Sequence, residues 1–338
     1  MLIQLGTVGF VAVASAFAVA FLAGSVRAWL VHAGIHDAPT ARSSHAAVTP
    51  RGGGLALLAI VLPGWLLGGW LTAGPAPLAL AGLTAAVAGV SFIDDVRGLS
   101  PAVRLPAQLL AVLAGLLALD PAPLFPEWLP VWLERGLLAV AWLWFVNLYN
   151  FMDGIDGITA VETFAIGSGL GLVGWVHGTN TVGVGPFLAW LLAGGAAGFL
   201  VWNWAPAKIF LGDVGSVPLG FLIGALLLET ASVGLWAPAL ILPGYYLADA
   251  TITLIRRLLR GEKVWRPHRE HAYQLAVQAG LSHAAVALRI AALNALLIGC
   301  AVWAAVGSPG LPLALAIAST LAVWLAFQRD KCWGPPKT

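Results

Sequence analysis

Charge is what this sequence has least of. Only 9% of its 338 residues are Asp, Glu, Lys or Arg, where soluble domains carry roughly a quarter. That shortage excludes a soluble enzyme and a disordered chain. A formal net charge of only +2 also argues against nucleic acid as a partner. Cysteine is nearly absent: Cys300 and Cys332 give neither a disulfide framework nor a metal site. Missing too is any Lys or Arg ahead of the first apolar run, 2–23. A cleavable signal needs a positive leading segment, so this run reads as a retained span.

What is abundant is apolar. Hydrophobic residues make up 60% of the chain, with 40 Gly and 16 Trp, a composition suited to close helix packing and interfacial anchoring in a bilayer. Backbone in hydrocarbon must satisfy its own hydrogen bonds, so apolar runs of roughly 20 residues are helices. About 11 such runs occur, near 3–24, 53–73, 76–93, 102–119, 131–149, 158–176, 184–203, 216–234, 236–257, 284–306 and 309–327. The expected fold is therefore all-α and polytopic. With these spans, every Lys and Arg except Arg135 falls on one side of the membrane. The positive-inside rule makes that side cytoplasmic, with the N-terminus periplasmic and the C-terminus cytoplasmic. Asp120, Glu127, Glu134 and Glu229 fall outside and are expected to be solvated, whereas Asp37, Asp94, Asp95, Asp153, Asp156 and Asp213 fall at cytoplasmic helix ends or loops. The chain, 1–338, reads as one membrane domain with a His-containing cytoplasmic loop at 258–283.

Five motifs gather on that face. The first loop carries Arg42, His45 and Arg51, cations able to meet phosphate, before the glycine run Gly52-Gly53-Gly54. Those glycines serve either close backbone approach to a ligand or tight helix packing. Asp94-Asp95 closes a span of almost pure Ala, Val, Leu and Gly. Acids beside hydrocarbon default to function, as a base or a magnesium site, against an alternative in which they pair with Arg97 and Arg104. The run Asn147-Leu148-Tyr149-Asn150-Phe151-Met152-Asp153-Gly154-Ile155-Asp156-Gly157 is densely polar at membrane depth. Its Asn and Asp oxygens on glycine turns are what a hard cation bearing phosphate requires. Phe210-Leu211-Gly212-Asp213-Val214-Gly215-Ser216 places one Asp where a helix begins, either as a helix cap or at a phosphate site. In the last loop His268, Arg269 and His271 stand together, the two histidines on one face if helical. Without a third His or a Cys they suit phosphate contact or proton handling better than zinc. Arg256, Arg257, Arg260 and Lys263 nearby read as a basic surface for anionic lipid. Together the motifs describe a site where a soluble diphosphate meets a lipid-borne phosphate.

Asp94-Asp95, the Asn147–Gly157 run, Phe210–Ser216 and His268-x-x-His271 resemble, in order, the signatures of the polyprenyl-phosphate N-acetylhexosamine-1-phosphate transferases. This is glycosyltransferase family 4, which includes the phospho-N-acetylmuramoyl-pentapeptide transferases. The resemblance implies an Mg-dependent transferase, Mn²⁺ being a substitute, in the bacterial inner membrane. Its donor would be a UDP-N-acetylamino sugar and its acceptor undecaprenyl phosphate; the products would be undecaprenyl-diphospho-sugar and UMP. It implies Asp213 and Asn150 as metal ligands and Asp94 as the proposed base for the lipid phosphate. Asp95 would support Asp94 or the metal, and Asp153 joins the catalytic carboxylates. Asp156 and Phe210 would contact uracil, and His268 and His271 the diphosphate and sugar. Asn147, Arg51, His45 and Arg269 complete the substrate contacts. Two departures stand out: Ser43 occupies a position where the family often has Lys, and His-Arg-Glu-His replaces a run of three histidines. The second points away from the peptidoglycan enzyme, toward transferases that initiate O-antigen-type glycans of lipopolysaccharide. The glycine-rich spans permit a homodimer.

Two rivals fit less well. An aspartate-rich prenyltransferase needs acids at i, i+4 on two helices, and this chain has Asp94-Asp95 and Asp153-Asp156 instead. A secondary transporter needs polar groups near the midplane, where only Asp249 and Glu162 qualify. Asp249 is expected to pair with a basic neighbour such as Arg256.

Overall fold

The computed structural model describes residues 2–37, 48–72, 74–125, 127–178, 185–264 and 268–330. His45, Arg42 and Ser43 of the first loop lie outside the described residues. Helices dominate: α1 (Leu2–His32), α2 (Gly54–Thr72), α3 (Pro75–Arg97), α4 (Pro101–Leu119), α5 (Val131–Phe151), α6 (Ile158–Val176) and α7 (Gly185–Asn203). They continue as α8 (Asp213–Ser232), α9 (Trp236–Ile241), α10 (Gly244–Leu259), α11 (Ala272–Gln278), α12 (His283–Val306) and α13 (Gly310–Asp330). Ten described helices are long and apolar enough to cross a membrane. The chain is thus a polytopic helical membrane protein.

The ninth expected span, 236–257, is instead two helices, α9 and α10. Pro243 stands at the break, where a missing N–H and a ring clash end a helix. Two further elements were not legible as periodicity. One is a minimal antiparallel ribbon of β1 (His36–Asp37) and β2 (Thr49–Pro50). The other is α11, a short helix inside the last loop.

The core lies around α6 and α8, the most deeply buried spans. α8 packs between α3 and α5, and α6 between α7 and α12. α1 lies along α7, and the reason is steric: a Cβ on Gly194 or Gly198 would sit 2.1 Å from a backbone oxygen of α1, Ala12 or Ala16. Small residues four apart let two backbones touch, the main source of helix association where lipid removes the hydrophobic drive. On the outside, Phe10, Phe17 and Phe21 of α1 and Leu110 and Leu117 of α4 face outward as lipid-facing residues should. Exposed Trp128 and Trp132 sit at the α4–α5 connection, where an aromatic belt would lie.

Candidate active site

One end of the bundle collects the C-termini of α3 and α5 and the N-termini of α4, α6 and α8. Its assembly begins with glycine. A Cβ on Gly54 would lie 2.2 Å from Gly215 Cα, so the glycine run after Arg51 lets the start of α2 touch the start of α8. The two strands of chain are zipped together: Phe210 N–H donates to Pro50 O (2.8 Å), and Gly53 and Gly54 N–H donate to Phe210 O and Leu211 O (2.8 and 2.9 Å). Gly212 turns the chain into α8 at φ +77°, which L side chains rarely adopt. The packing reading of the glycine run is thus borne out.

Asp95 then locks the start of α8. Its carboxylate, fully buried, accepts from Asp213 N and Val214 N, both at 2.9 Å, and meets Arg51 Nε at 2.8 Å. A carboxylate from one helix thus satisfies two unpaired N–H groups of another and complements its dipole. Arg51 continues to Asp213, its Nη2 2.6 Å from Oδ1. Arg104 of α4 joins the other pair, 2.7 Å from Asp94 Oδ2 and 3.5 Å from Asp213 Oδ2. Asp94 also accepts Leu99 N at 2.5 Å. Two arginines are thus shared among three carboxylates, with Asp213 common to both. The expected alternative partner, Arg104, does reach Asp94. Asn150 donates from Nδ2 to Asp213 Oδ1 (3.0 Å) and to Ser216 Oγ (2.9 Å).

After α5 the turn 152–157 carries Asp153 and Asp156. Burial is the main cause that raises the Asp153 carboxyl to about 7; the Asp213 charge adds to it and Thr159 opposes it. A carboxyl in this condition is ready to take up a cation, which would restore its charge. Asp156 is held at one edge: its Oδ2 accepts Ala207 N at 3.1 Å and lies 3.3 Å from His283 Nδ1. Asn147 donates to Gln108 Oε1 at 2.9 Å, on the α4 side of α5.

The last loop folds over this turn. The rings of His268 and His271 are 4.9 Å apart. Burial, then the proximity of His271 and Arg257, lowers His268 to about 4. At that value the ring is neutral at physiological pH. His271 turns inward and is buried at the start of α11. Arg257 and Arg260 are engaged with Glu262 and Glu270, and Arg256 lies over the Trp324 ring at 4.3 Å.

Two cavities meet at Asn150 and Asp213. The larger, about 270 Å³, is walled by Arg51, Asn150, Asp153, Asp156, Phe210, Asp213, His268 and Arg269. Asp37, one of the acids expected on the cytoplasmic side but given no site role, also lines it, as do Asn203 and Gln274. The smaller, about 80 Å³, lies among α3, α4, α5 and α8, with Asp94, Arg104, Gln108 and Asn147 above an apolar wall of Val87, Val90, Leu105 and Val217. Asp95 and His271 line neither; the structure commits them to holding α8 and α11.

The donor set fits Mg²⁺ in a particular way. No cluster of three or more His, Cys, Asp or Glu among the described residues forms a ready-made cage. Asp94 and Asp95 already hold N–H groups and arginines. Asp213 has an oxygen whose nearest cation is at 3.5 Å, Asn150 keeps its amide oxygen while Nδ2 does the donating, and Asp153 is on the same wall. One or two carboxylates completed by substrate phosphates and water is how Mg²⁺ is usually bound.

The glycosyl transferase family 4 model matches residues 77–231. A probable undecaprenyl-phosphate N-acetylglucosaminyl 1-phosphate transferase of Bacillus subtilis is 28% identical over 274 residues, covering 74% of this chain and 72% of the relative. A decaprenyl-phosphate N-acetylglucosaminephosphotransferase of Mycobacterium tuberculosis is 28% identical over 337 residues, covering 85% and 80%. A phospho-N-acetylmuramoyl-pentapeptide-transferase of Mycolicibacterium smegmatis is 31% identical over 270 residues, covering 64% and 74%.

Proposed function

The chain belongs to glycosyl transferase family 4, and from that premise we propose that it moves an N-acetylamino-sugar-1-phosphate from a UDP-sugar to undecaprenyl phosphate. The observation that carries this reading is the pair of cavities joined at Asn150 and Asp213. One is polar and lined by Phe210, Arg51 and Arg269; the other has an apolar wall ending in Arg104. They match a sugar nucleotide and a lipid phosphate. Cavities that meet favour both substrates binding together and a direct displacement. An oxygen of the lipid phosphate attacks the phosphorus that bears the sugar, the bond from that phosphorus to the bridging oxygen breaks, and UMP leaves with the bridging oxygen.

Little proton chemistry is required. A phosphomonoester has its second pKa near about 6, so the lipid phosphate is largely the dianion at neutral pH. Asp94 accordingly serves to hold Arg104 toward the lipid phosphate, more than to remove a proton. Arg51 draws the diphosphate toward Asp213, and Phe210 offers its ring to uracil. Mg²⁺, held by Asp213, Asn150 and Asp153, would neutralise charge on the diphosphate. Alignment of the two phosphates then carries most of the rate. The segregation of basic residues favours a cytoplasmic site end in a bacterial inner membrane. His-Arg-Glu-His in the last loop favours an O-antigen-type initiating transferase over the muramoyl-pentapeptide enzyme.

The test is UMP release by the purified protein with undecaprenyl phosphate, Mg²⁺ and a panel of UDP-amino sugars, with and without EDTA. The expected outcome is metal-dependent UMP from one donor. Folded protein that releases no UMP from any donor, with the lipid present, overturns the reading.

A further inference from the structure

Asp249 has no place in the chemistry above, yet it is completely buried in α10 and bears the densest set of donors of any carboxylate described. Its Oδ1 accepts Ala272 N (2.8 Å) and Thr253 Oγ1 (3.3 Å), and its Oδ2 accepts Tyr245 Oη (3.1 Å) and Tyr273 N (3.4 Å). His271 Nδ1 lies 3.7 Å from Oδ1, and that nitrogen has no hydrogen-bond partner of its own. The expected basic partner is elsewhere: Arg256 stacks on Trp324, and Arg257 bonds to Glu262. The buried charge is compensated by the unpaired N–H groups that begin α11.

We propose that Asp249 is a positioning residue, the anchor that docks α11 and thereby fixes His268 and Arg269 on the wall of the larger cavity. The proposal rests on reading that cavity as the sugar-nucleotide site. α11 has only seven residues, Ala272–Gln278, far fewer than a helix needs to hold itself in water. It persists because other elements hold it. Asp249 takes its first two N–H groups. At the same turn Tyr273 Oη donates to Phe151 O at 3.1 Å, closing α11 onto the end of α5. Gly154 admits that hydroxyl, since a Cβ there would lie 2.2 Å from it. Gln278 Nε2 donates back to Arg269 O at 2.8 Å, so the docked helix also fixes the main chain of Arg269.

The consequence is asymmetric. His268 and Arg269 line the larger cavity and not the smaller. Releasing α11 should weaken the sugar nucleotide and leave the lipid phosphate alone. A role confined to general folding would not divide the two substrates.

The experiment compares full-length wild type, Asp249→Asn and Asp249→Ala in detergent, by amide hydrogen exchange and by steady-state UMP release. The expected result is exchange across 268–278 faster by about tenfold in Asp249→Asn and more in Asp249→Ala, with the long spans unchanged. KM for the donor rises about tenfold and KM for undecaprenyl phosphate stays within about twofold. Unchanged exchange in 268–278 overturns the anchor. Faster exchange with equal loss toward both substrates also overturns it, since Asp249 would then be general scaffold. Should Asp249→Ala not fold, the isosteric Asp249→Asn carries both measurements. Should wild type release no UMP from any donor, the functional reading falls by itself; exchange, with UMP binding in place of KM, still decides the anchor.

Discussion

The two ends of the helix bundle use the same side chains to opposite purpose. At the far end Glu134 accepts Leu124 N (2.6 Å) and Phe125 N (3.3 Å), and Arg135 bonds to Asp120 (2.9 Å) and Pro121 O (2.6 Å). Every one of these contacts ties the first turn of α5 to the short connection that leads into it from α4. At the site end Arg51 reaches Asp213 across 162 residues, Asp95 reaches the start of α8 across 118, and Asp156 meets His283 across 127. Local ion pairs close a loop. Long-range ones bring three other segments, at Arg51, Arg104 and Asn150, to the Asp213 carboxylate and leave a cavity between them. Such pairing is costly to desolvate and weak evidence for stability, so its concentration at one end marks that end as functional.

The sharpest way to break the contrast is Asp213→Ala. It removes the carboxylate common to Arg51, Arg104 and Asn150, which is also the proposed principal metal ligand. Turnover should fall by about a thousandfold or more, on the scale of a lost charge-stabilising group at a transferring centre, with the protein still folded in detergent. UMP release at saturating substrates checks it. Near-normal turnover would show that the cluster is structural at both ends.

Asp95→Asn should act mainly on stability. The amide cannot accept both α8 N–H groups, and Arg51 loses half of its charge partners. A cost of about 3 kcal/mol is expected for breaking a buried, hydrogen-bonded ion pair. Thermal unfolding in detergent checks it, and a negligible shift would remove the trans-helix cap as the reason Asp95 is acidic.

Phe210→Ala tests the larger cavity alone. Loss of a stacking face is worth about 1–3 kcal/mol per base. KM for the UDP-sugar should rise about tenfold, with KM for the lipid unchanged. Equal changes in both would move uracil away from Phe210.

Much of this was legible in advance, for a reason that differs by feature. The long spans were readable because hydrocarbon demands about 20 apolar residues. Asp94, Asn150, Asp153, Asp156 and Asp213 were readable because acids and amides beside such runs are rare and costly. The division of labour between Asp94 and Asp95 was not, since adjacent residues point in different directions and only the packing of α3 on α8 decides which one caps. Asp249 was noticed but given the wrong partner. Its sequence neighbour Arg256 faces Trp324, while its two backbone donors lie 23 and 24 residues on, in a helix too short to leave a periodic trace. The break at Pro243 was hidden by apolar residues on both sides. Asp37 stood among the cytoplasmic acids without a site role and Asn203 gave no motif, because their places on the cavity wall come from where the chain returns and not from their neighbours.

The smallest effect is expected from Glu134→Gln, and its smallness is the point. Glu134 is buried and its two oxygens hold two backbone N–H groups of the α4–α5 loop. Gln keeps one acceptor of the same length and turns the other into a donor facing an N–H. The loss should be about 1–2 kcal/mol, one charged hydrogen bond replaced by a mismatched neutral one. Unfolding should begin slightly earlier, while both KM values and turnover stay within about twofold of wild type, because nothing at this end touches a cavity shared by Asn150 and Asp213. A clear change in donor KM from Glu134→Gln would mean that strain passes along α5 from its first turn to Asn150 near its end. The two ends would then be one mechanical unit, and the separation of loop closure from site assembly would fail.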